Sequence, residues 1–256
     1  MIDEHLYPLN WGVKPILFNI GGFEVQSYAF FVLLALVVGI LIYYYEARKQ
    51  KKLGENTFYI ALAALIGGVI GAKLPIWIIN FREIIESFPD IAPFLSGRTI
   101  VGGLLGGLIA VILFKKIAKI NDKRGNLFAP AIAIGVAIGR IGCFLRGCCY
   151  GKATSLPWGV DFGDGVLRHP TQIYESLFMI GMFVYITSIK KKVVEPGKLL
   201  IILFTSYFIF RFFIEFIRVE PVIFLGLTGF QIVSVIAIIY LNRGYLTRFI
   251  NKIKVN

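Results

Sequence analysis

Charged residues are scarce in this chain. They make up 16% of its 256 residues, against about a quarter in an ordinary soluble domain. Apolar residues reach 57% and come in long blocks, which excludes a soluble globular domain and points to a polytopic membrane protein. Cysteine is scarce too. There are three, an odd number, and all lie between positions 143 and 149, which excludes a scaffold of disulfides between distant cysteines. Acidic residues are the minority charge, 15 against 27 Lys and Arg. The basic excess falls in short clusters between apolar blocks rather than as a nucleic-acid footprint, so no nucleic-acid partner is expected. Met1–Gly12 holds two acids and no Lys or Arg, the reverse of a signal-peptide n-region, so no signal peptide is expected. There is no solenoid-length repeat and no low-complexity segment.

What is present is a set of apolar runs near the length of about 20 residues that a bilayer core demands. Seven spans are predicted: Ser27 to Tyr45, Phe58 to Phe81, Ile100 to Phe114, Leu127 to Leu145, Ile173 to Ile189, Leu199 to Ile217 and Phe224 to Leu241. The start of the seventh is interrupted by Gly226, Gly229 and Gln231. Basic clusters follow the odd-numbered spans: Arg48, Lys49, Lys51 and Lys52; Lys115, Lys116, Lys119, Lys123 and Arg124; Lys190, Lys191, Lys192 and Lys198; Arg243, Arg248, Lys252 and Lys254. Those clusters hold most of the 27 Lys and Arg, so the N-terminus is expected outside and the C-terminus in the cytoplasm. The fold class is all-α, one transmembrane domain over residues 1–256 with an outer loop at about 146–171. Pro157-Trp158-Gly159 and Gly163-Asp164-Gly165 give that loop turn chemistry. Glycines four apart, Gly67 with Gly71, Gly102 with Gly106, Gly103 with Gly107 and Gly135 with Gly139, allow close helix approach.

Polar groups inside the spans carry the functional argument. Arg140 lies near the end of the fourth span, in Gly139-Arg140-Ile141-Gly142-Cys143-Phe144-Leu145-Arg146-Gly147-Cys148-Cys149-Tyr150-Gly151. An arginine there either snorkels to the interface or faces protein, water or an anion. Arg211, Glu215 and Arg218 share one face of the sixth span. They form either a structural ion pair with an interfacial arginine, or a basic site in which Glu215 orients the arginines. Arg140 and Arg211 show no obvious excess of acids nearby in the sequence, and a lipid phosphate, which suits the planar guanidinium fork, would balance them. Lys73 is expected to snorkel. Arg168 to Glu175 opens the fifth span, with Pro170 at the helix start and Glu175 in the first turn, where the helix dipole favours an acid. His169 is either structural or functional. The three cysteines with His169 match no zinc-ligand spacing, so no metal is expected. A redox pair of Cys143 with Cys148, a thiolate assisted by Arg140, and small thiols that only pack the turn ending the fourth span all stay open.

On these residues the chain resembles the prolipoprotein diacylglyceryl transferase family over nearly its whole length. Gly139, Arg140, Gly142, Phe144 and Gly151 match the family signature Gly-Arg-x-Gly-Asn-Phe-x-Asn-x-Glu-x-x-Gly. Arg168 to Glu175 is similar to its Arg-His-Pro-Ser-Gln-x-Tyr-Glu motif, with Thr171 for Ser. Pro15 to Gly21 is similar to its N-terminal segment, Tyr28 falls at its first-span tyrosine, and Phe210-Arg211 with Glu215 and Arg218 resembles its sixth-span motif. Cys143, Arg146 and Cys148 stand where the signature has Asn, Asn and Glu, and Val101 stands where the family has a histidine.

The resemblance implies a multi-pass protein of the bacterial plasma (inner) membrane that needs no cofactor. It would move a diacylglyceryl group from phosphatidylglycerol, an anionic phospholipid, to the lipobox cysteine thiol of a prolipoprotein, with glycerol phosphate leaving. The expected catalytic residues are Arg140, Cys143, Cys148 and His169, with His169 or a Cys143 thiolate as proton acceptor in place of the histidine that Val101 replaces. The expected substrate-binding residues are Tyr28, Arg140, Arg146, Gln172, Tyr174, Arg211, Glu215 and Arg218. Two rivals stay open: a related transferase with a different acceptor, acting through a Cys intermediate, and a small-solute carrier, which should show inverted repeats and broken midplane helices.

Overall fold

The structure is a computed structural model that describes residues 11–91, 94, 97–121 and 124–255, with side chains through Gly244. The acid-bearing segment before Trp11, Lys123 of the basic clusters and the side chains of Arg248, Lys252 and Lys254 lie outside the described residues. Among the described residues six helices are long and apolar enough to cross a membrane: α1 (Ser27–Lys49), α2 (Glu55–Ile79), α4 (Ile100–Ile117), α5 (Gly125–Arg146), α6 (Thr171–Ile189) and α7 (Lys198–Ile214), the last continued by a 3-10 turn to Ile217. A short helix, α3 (Phe81–Glu86), follows α2. α8 (Gly229–Val255) closes the chain, and its part Gly229–Gly244 is a shorter apolar helix. This is a polytopic helical membrane protein.

The seventh predicted span begins later than its hydropathy implies. Val222–Phe224 (β5) instead pairs antiparallel with Leu227–Thr228 (β6). The turn between them is Leu225-Gly226, with φ of 49° and 76°. Positive φ at both central residues is the hairpin turn that matches strand twist, and it ends any helix there. A similar turn at Gly21-Gly22 joins β1 (Ile16–Ile20) to β2 (Phe23–Gln26), just ahead of α1. A third hairpin, β3 (Val160–Asp161) with β4 (Leu167–Arg168), forms in the loop between α5 and α6.

The chain forms two compact units. One centres on α2, α3 and α4; the other holds α1 up to Tyr43, the hairpins and α5 to α8. In the first unit, α2 and α4 meet through glycine. A Cβ on Gly71 would lie 2.5 Å from the Gly102 carbonyl oxygen, and one on Gly106 would lie 2.4 Å from that of Gly67. Backbones this close permit no side chain between them, and such contact replaces the hydrophobic drive that lipid cannot supply. Thr99 caps α4 by accepting the Gly102 amide at 3.2 Å. Lys73 is buried here rather than snorkelling. The pair Gly135 and Gly139 makes no such tight contact; Gly139 has open space where a Cβ would be.

In the second unit, α5 buries Ala129, Ala131, Ala133 and Ala137 as it packs on α6 and α7. It meets α1 at Gly142, where a Cβ would lie 2.7 Å from that of Phe31. Gly147, in the left-handed region at φ 77°, stops α5. The amides of Gly147 and Cys148 turn back to the Cys143 carbonyl at 3.0 and 3.1 Å, the usual closure of a glycine-capped helix. The chain then runs between α6 and α7. The Gly151 amide donates to the His169 carbonyl at 2.9 Å, and the Lys152 amide to that of Ile217 at 2.7 Å. The loop thus gathers the C-terminal ends of α5 and α7 with the N-terminal end of α6.

The glycine contact gives a contrast in stability. Gly106→Ala should lower the thermal unfolding midpoint in detergent, by an overpacking cost of about 1–3 kcal/mol. Gly181→Ala, on α6 with no atom within 4 Å of the new methyl, should leave the midpoint unchanged or raise it.

Candidate active site

Three helices bring charged side chains to one buried point. Arg140 comes from α5, Glu175 from α6, and Arg211 from the last turn of α7, with Glu215 and Arg218 just beyond. Their exposures are 3%, 1%, 3%, 2% and 4%. Arg140 Nη2 lies 2.6 Å from Glu175 Oε2, and Arg211 Nη1 lies 3.6 Å from the same oxygen. Arg211 Nη2 is 2.9 Å from Glu215 Oε2, and Arg218 Nε is 3.6 Å from that oxygen. Arg218 Nη2 then reaches Glu220 Oε1 at 2.9 Å. Acid and base alternate through the whole cluster. Ions removed from water persist only with such partners, because each alone would carry a desolvation cost of several kcal/mol.

Glu175 is the hub. Besides two arginines it accepts the Tyr207 hydroxyl at 3.0 Å through Oε1. The sequence places it in the first turn of α6, but the helix starts at Thr171 and holds no acid in its first turn, so its partners are the guanidinium groups rather than the helix dipole. The expectation that Arg140 and Arg211 lack nearby acids is therefore corrected. The acid comes from α6, about 35 residues after Arg140 in the sequence. A signal was available: a carboxylate inside an apolar span is too costly to stand alone, so it calls for a cation on a neighbouring helix. Tyr207, one turn before Arg211, carried no such signal. Several buried atoms of the cluster make no hydrogen bond: Arg140 Nε, Arg211 Nε and Nη1, Arg218 Nε and both Glu215 carboxylate oxygens, although Arg211 Nη1 and Arg218 Nε keep their 3.6 Å ion pairs with Glu175 and Glu215. The face of the Phe230 ring lies 4.8 Å from the Arg211 guanidinium, an apolar contact that also favours a cation.

The cysteines adjoin this cluster. Cys143 lies one turn after Arg140 on α5, and Arg140 Nη1 is 3.9 Å from its sulfur. Cys143 and Cys148 are buried, while Cys149 is only partly covered. The Cys148 thiol donates to the Cys143 carbonyl at 3.5 Å. The loop backbone is held by side chains on both sides. Gln172 Nε2 donates to the Cys148 carbonyl at 2.6 Å, while Thr171 Oγ1 and Arg218 Nη1 donate to the Cys149 carbonyl at 2.7 and 2.9 Å. Gln172 thus acts here as a clamp on the cysteine loop, with its Oε1 buried and unpartnered.

Other expected residues fall elsewhere. His169 and Tyr174 form a second group, where His169 Nδ1 is 3.3 Å from the Tyr174 hydroxyl, which accepts from Trp158 Nε1 at 2.7 Å. Arg146 donates to the Trp11 carbonyl at 3.2 Å, and Trp11 Nε1 donates to Gly147 at 2.8 Å. This pair ties the N-terminal segment to the end of α5. Tyr28 backs onto Gly142, its Cα 3.4 Å from where a Cβ there would sit. Val101 is buried on α4 in the other unit. Among the described residues no group of three or more His, Cys, Asp or Glu is arranged to hold a metal ion.

The model of the family described as prolipoprotein diacylglyceryl transferase matches residues 15–245. A protein of Clostridium tetani named phosphatidylglycerol--prolipoprotein diacylglyceryl transferase is 32% identical over 217 residues, covering 82% of this chain and 87% of the relative. One of the same name from Clostridioides difficile is 31% identical, with 88% and 91% covered. Another from Legionella pneumophila (strain Corby) is 31% identical, with 85% and 88% covered.

Glu175→Gln should test the hub. It keeps the shape and removes the charge shared by Arg140 and Arg211. Breaking a buried pair from one side costs about 3–5 kcal/mol, so the thermal midpoint in detergent should fall well below that of the wild type. An unchanged midpoint would mean that the three helices do not depend on this carboxylate.

Proposed function

The chain belongs to the prolipoprotein diacylglyceryl transferase family, and we propose that it moves a diacylglyceryl group from phosphatidylglycerol to the lipobox cysteine thiol of a prolipoprotein. The observation that carries this assignment of substrate to site is the set of buried guanidinium donors on Arg140, Arg211 and Arg218 that make no hydrogen bond within the protein. Buried donors almost always find acceptors, and a phosphodiester offers several oxygens to planar forks that Glu175 and Glu215 already hold in place. The relatives carry both substrates in their names.

The chemistry follows from the same geometry. The acceptor sulfur forms a bond to the terminal glyceryl carbon of the diacylglyceryl group. The bond from that carbon to the phosphate oxygen breaks, and glycerol phosphate leaves with both electrons. Negative charge grows on the phosphate as this happens. Donors fixed beforehand by ion pairs stabilise that charge without reorganising, which is the term that usually dominates such catalysis. Arg140 and Arg211 bind the phosphate, Arg218 and Glu215 set the position of Arg211 and the cysteine loop, and Tyr28 and Gln172 line the same end of α5. The protein resides in the bacterial plasma membrane, with this end of the helices outside, because the basic clusters follow the opposite ends of the helices.

Purified protein given radiolabelled phosphatidylglycerol and a lipobox peptide should yield labelled thioether. Arg140→Ala and Arg211→Ala should each lower turnover about 10- to 150-fold, the equivalent of about 1.5–3 kcal/mol for a charged hydrogen bond. Lys198→Ala, in an exposed pair with Glu195 at the far end of α7, should not change it. Full turnover by both arginine variants would refute the phosphate assignment. In intact spheroplasts a membrane-impermeant maleimide should label Cys149; labelling only after lysis would reverse the orientation.

A further inference from the structure

An arginine that binds a phosphate must itself be held, and each carboxylate that holds it takes up one of its N–H donors. Arg211 gives Nη2 to Glu215 at 2.9 Å. Its Nη1 lies at the longer 3.6 Å from Glu175, and neither Nη1 nor Nε makes a hydrogen bond. A further acid is not a workable support. Arg140, Arg211 and Arg218 already face Glu175, Glu215 and Glu220, so one more carboxylate would leave the cluster anionic and repel a phosphate. The remaining support has to be neutral and must take up no N–H donor. An aromatic face meets both conditions, because its quadrupole attracts a cation as a whole.

We propose that Phe230 is the positioning residue for Arg211, its ring face holding the guanidinium by cation–π attraction while Nε and Nη1 keep N–H donors for a phosphate-bearing lipid. This rests on the transferase assignment above. The Arg211 guanidinium carbon stands over that ring, 4.8 Å from its centroid, inside the range of about 6 Å for such contacts. Arg211 is 3% exposed, so little water competes for its charge and the contact is of the stronger, desolvated kind.

Phe230 is held in turn. α8 opens at Gly229, and the residues on either side of that opening cap it reciprocally. Thr228 Oγ1 accepts the Gln231 amide at 3.3 Å, and Gln231 Oε1 accepts the Thr228 amide at 2.9 Å, the two halves of a capping box. Both residues are buried. Gln231 Nε2 then donates to the Phe212 carbonyl at 3.2 Å, one residue beyond Arg211. The start of α8 is therefore tied to the backbone beside Arg211, and Phe230, next to Gln231, carries its ring to the guanidinium. As the bond to the phosphate breaks, a guanidinium kept in place meets the growing charge without reorganising.

The test changes the charge distribution of the ring and not its shape. Successive ring fluorines draw electron density off the π face and weaken its hold on a cation, with little change in size. Full-length protein carrying phenylalanine, difluoro-, trifluoro- or pentafluorophenylalanine at position 230 is assayed with labelled phosphatidylglycerol and a lipobox peptide. The kcat/KM for phosphatidylglycerol should fall stepwise along the series, reaching about 30-fold at the pentafluoro ring, the factor equivalent to a desolvated cation–π contact. The KM for the peptide should not change. Phe230→Leu, apolar but without a π face, should fall as far. In an Arg211→Ala background the series should be flat, because the ring then has no cation to hold. Where that background turns over too slowly to follow, equilibrium binding of phosphatidylglycerol by the same proteins gives the comparison. Equal kcat/KM across the series would make Phe230 a packing residue only, and equal falls in both backgrounds would mean that the effect bypasses Arg211. Either result overturns this inference and leaves the transferase reading standing. No labelled thioether from the wild type itself would instead overturn the transferase reading and this inference with it.

Discussion

The carboxylate of Glu175, set between the guanidinium groups of Arg140 and Arg211, is the interaction on which the second unit depends. Helices in lipid gain little from burying apolar faces against one another, since the lipid is as apolar as they are. They need contacts that lipid cannot offer. Here the contacts form a continuous series, Arg140 to Glu175, Glu175 to Arg211, Arg211 to Glu215, Glu215 to Arg218 and Arg218 to Glu220. Each member is tolerable only because of the next. The series crosses from α5 to α6 to α7, so the ends of those helices are fixed to one another by charge.

The polar backbone around that series follows from it. A loop running among buried ions must have its own amides and carbonyls paired. Gly147 supplies the sharp end of α5, and Gly151 supplies room for the strand-like passage beside His169 and Ile217, where a Cβ would lie 2.6 Å from the Ile217 carbonyl oxygen. Gln172, Thr171 and Arg218 then satisfy the carbonyls of Cys148 and Cys149 from outside. The motif's glycines and the polar start of α6 therefore serve one purpose: they let the chain pass through a charged, crowded place with its hydrogen bonds made.

Much of this was legible in the sequence. The runs from Ser27, Ile100 and Leu199 give their helices because a long apolar run leaves the backbone no other way to satisfy itself in lipid. Arg211 with Glu215, and Arg140 with Cys143, fall together because three or four residues is one helical turn. What the sequence hid was distance between helices. Glu175 read as a dipole-favoured acid because its partners lie 35 residues before and 36 after it, and nothing periodic links them. The start of the last helix was misplaced for a different reason. Phe224 and Leu225 are apolar enough to open the span expected from Phe224, and hydropathy does not register that Leu225-Gly226 turns the chain back on itself.

The balanced charge of the cluster raises the question of how it receives an anion. The answer lies in counting donors instead of charges. A guanidinium offers five N–H bonds in a fixed fork, and the acids hydrogen-bond only some of them, so Arg140, Arg211 and Arg218 each keep a buried nitrogen without a hydrogen bond. A neutral cluster can be buried without a bound anion at modest cost, whereas three unpaired arginines could not. When a phosphate arrives it takes donors that are already aimed, and as the bond to it breaks, its growing charge meets dipoles that need not move. The acids therefore do not compete with the substrate so much as make a cationic site possible at the edge of a membrane.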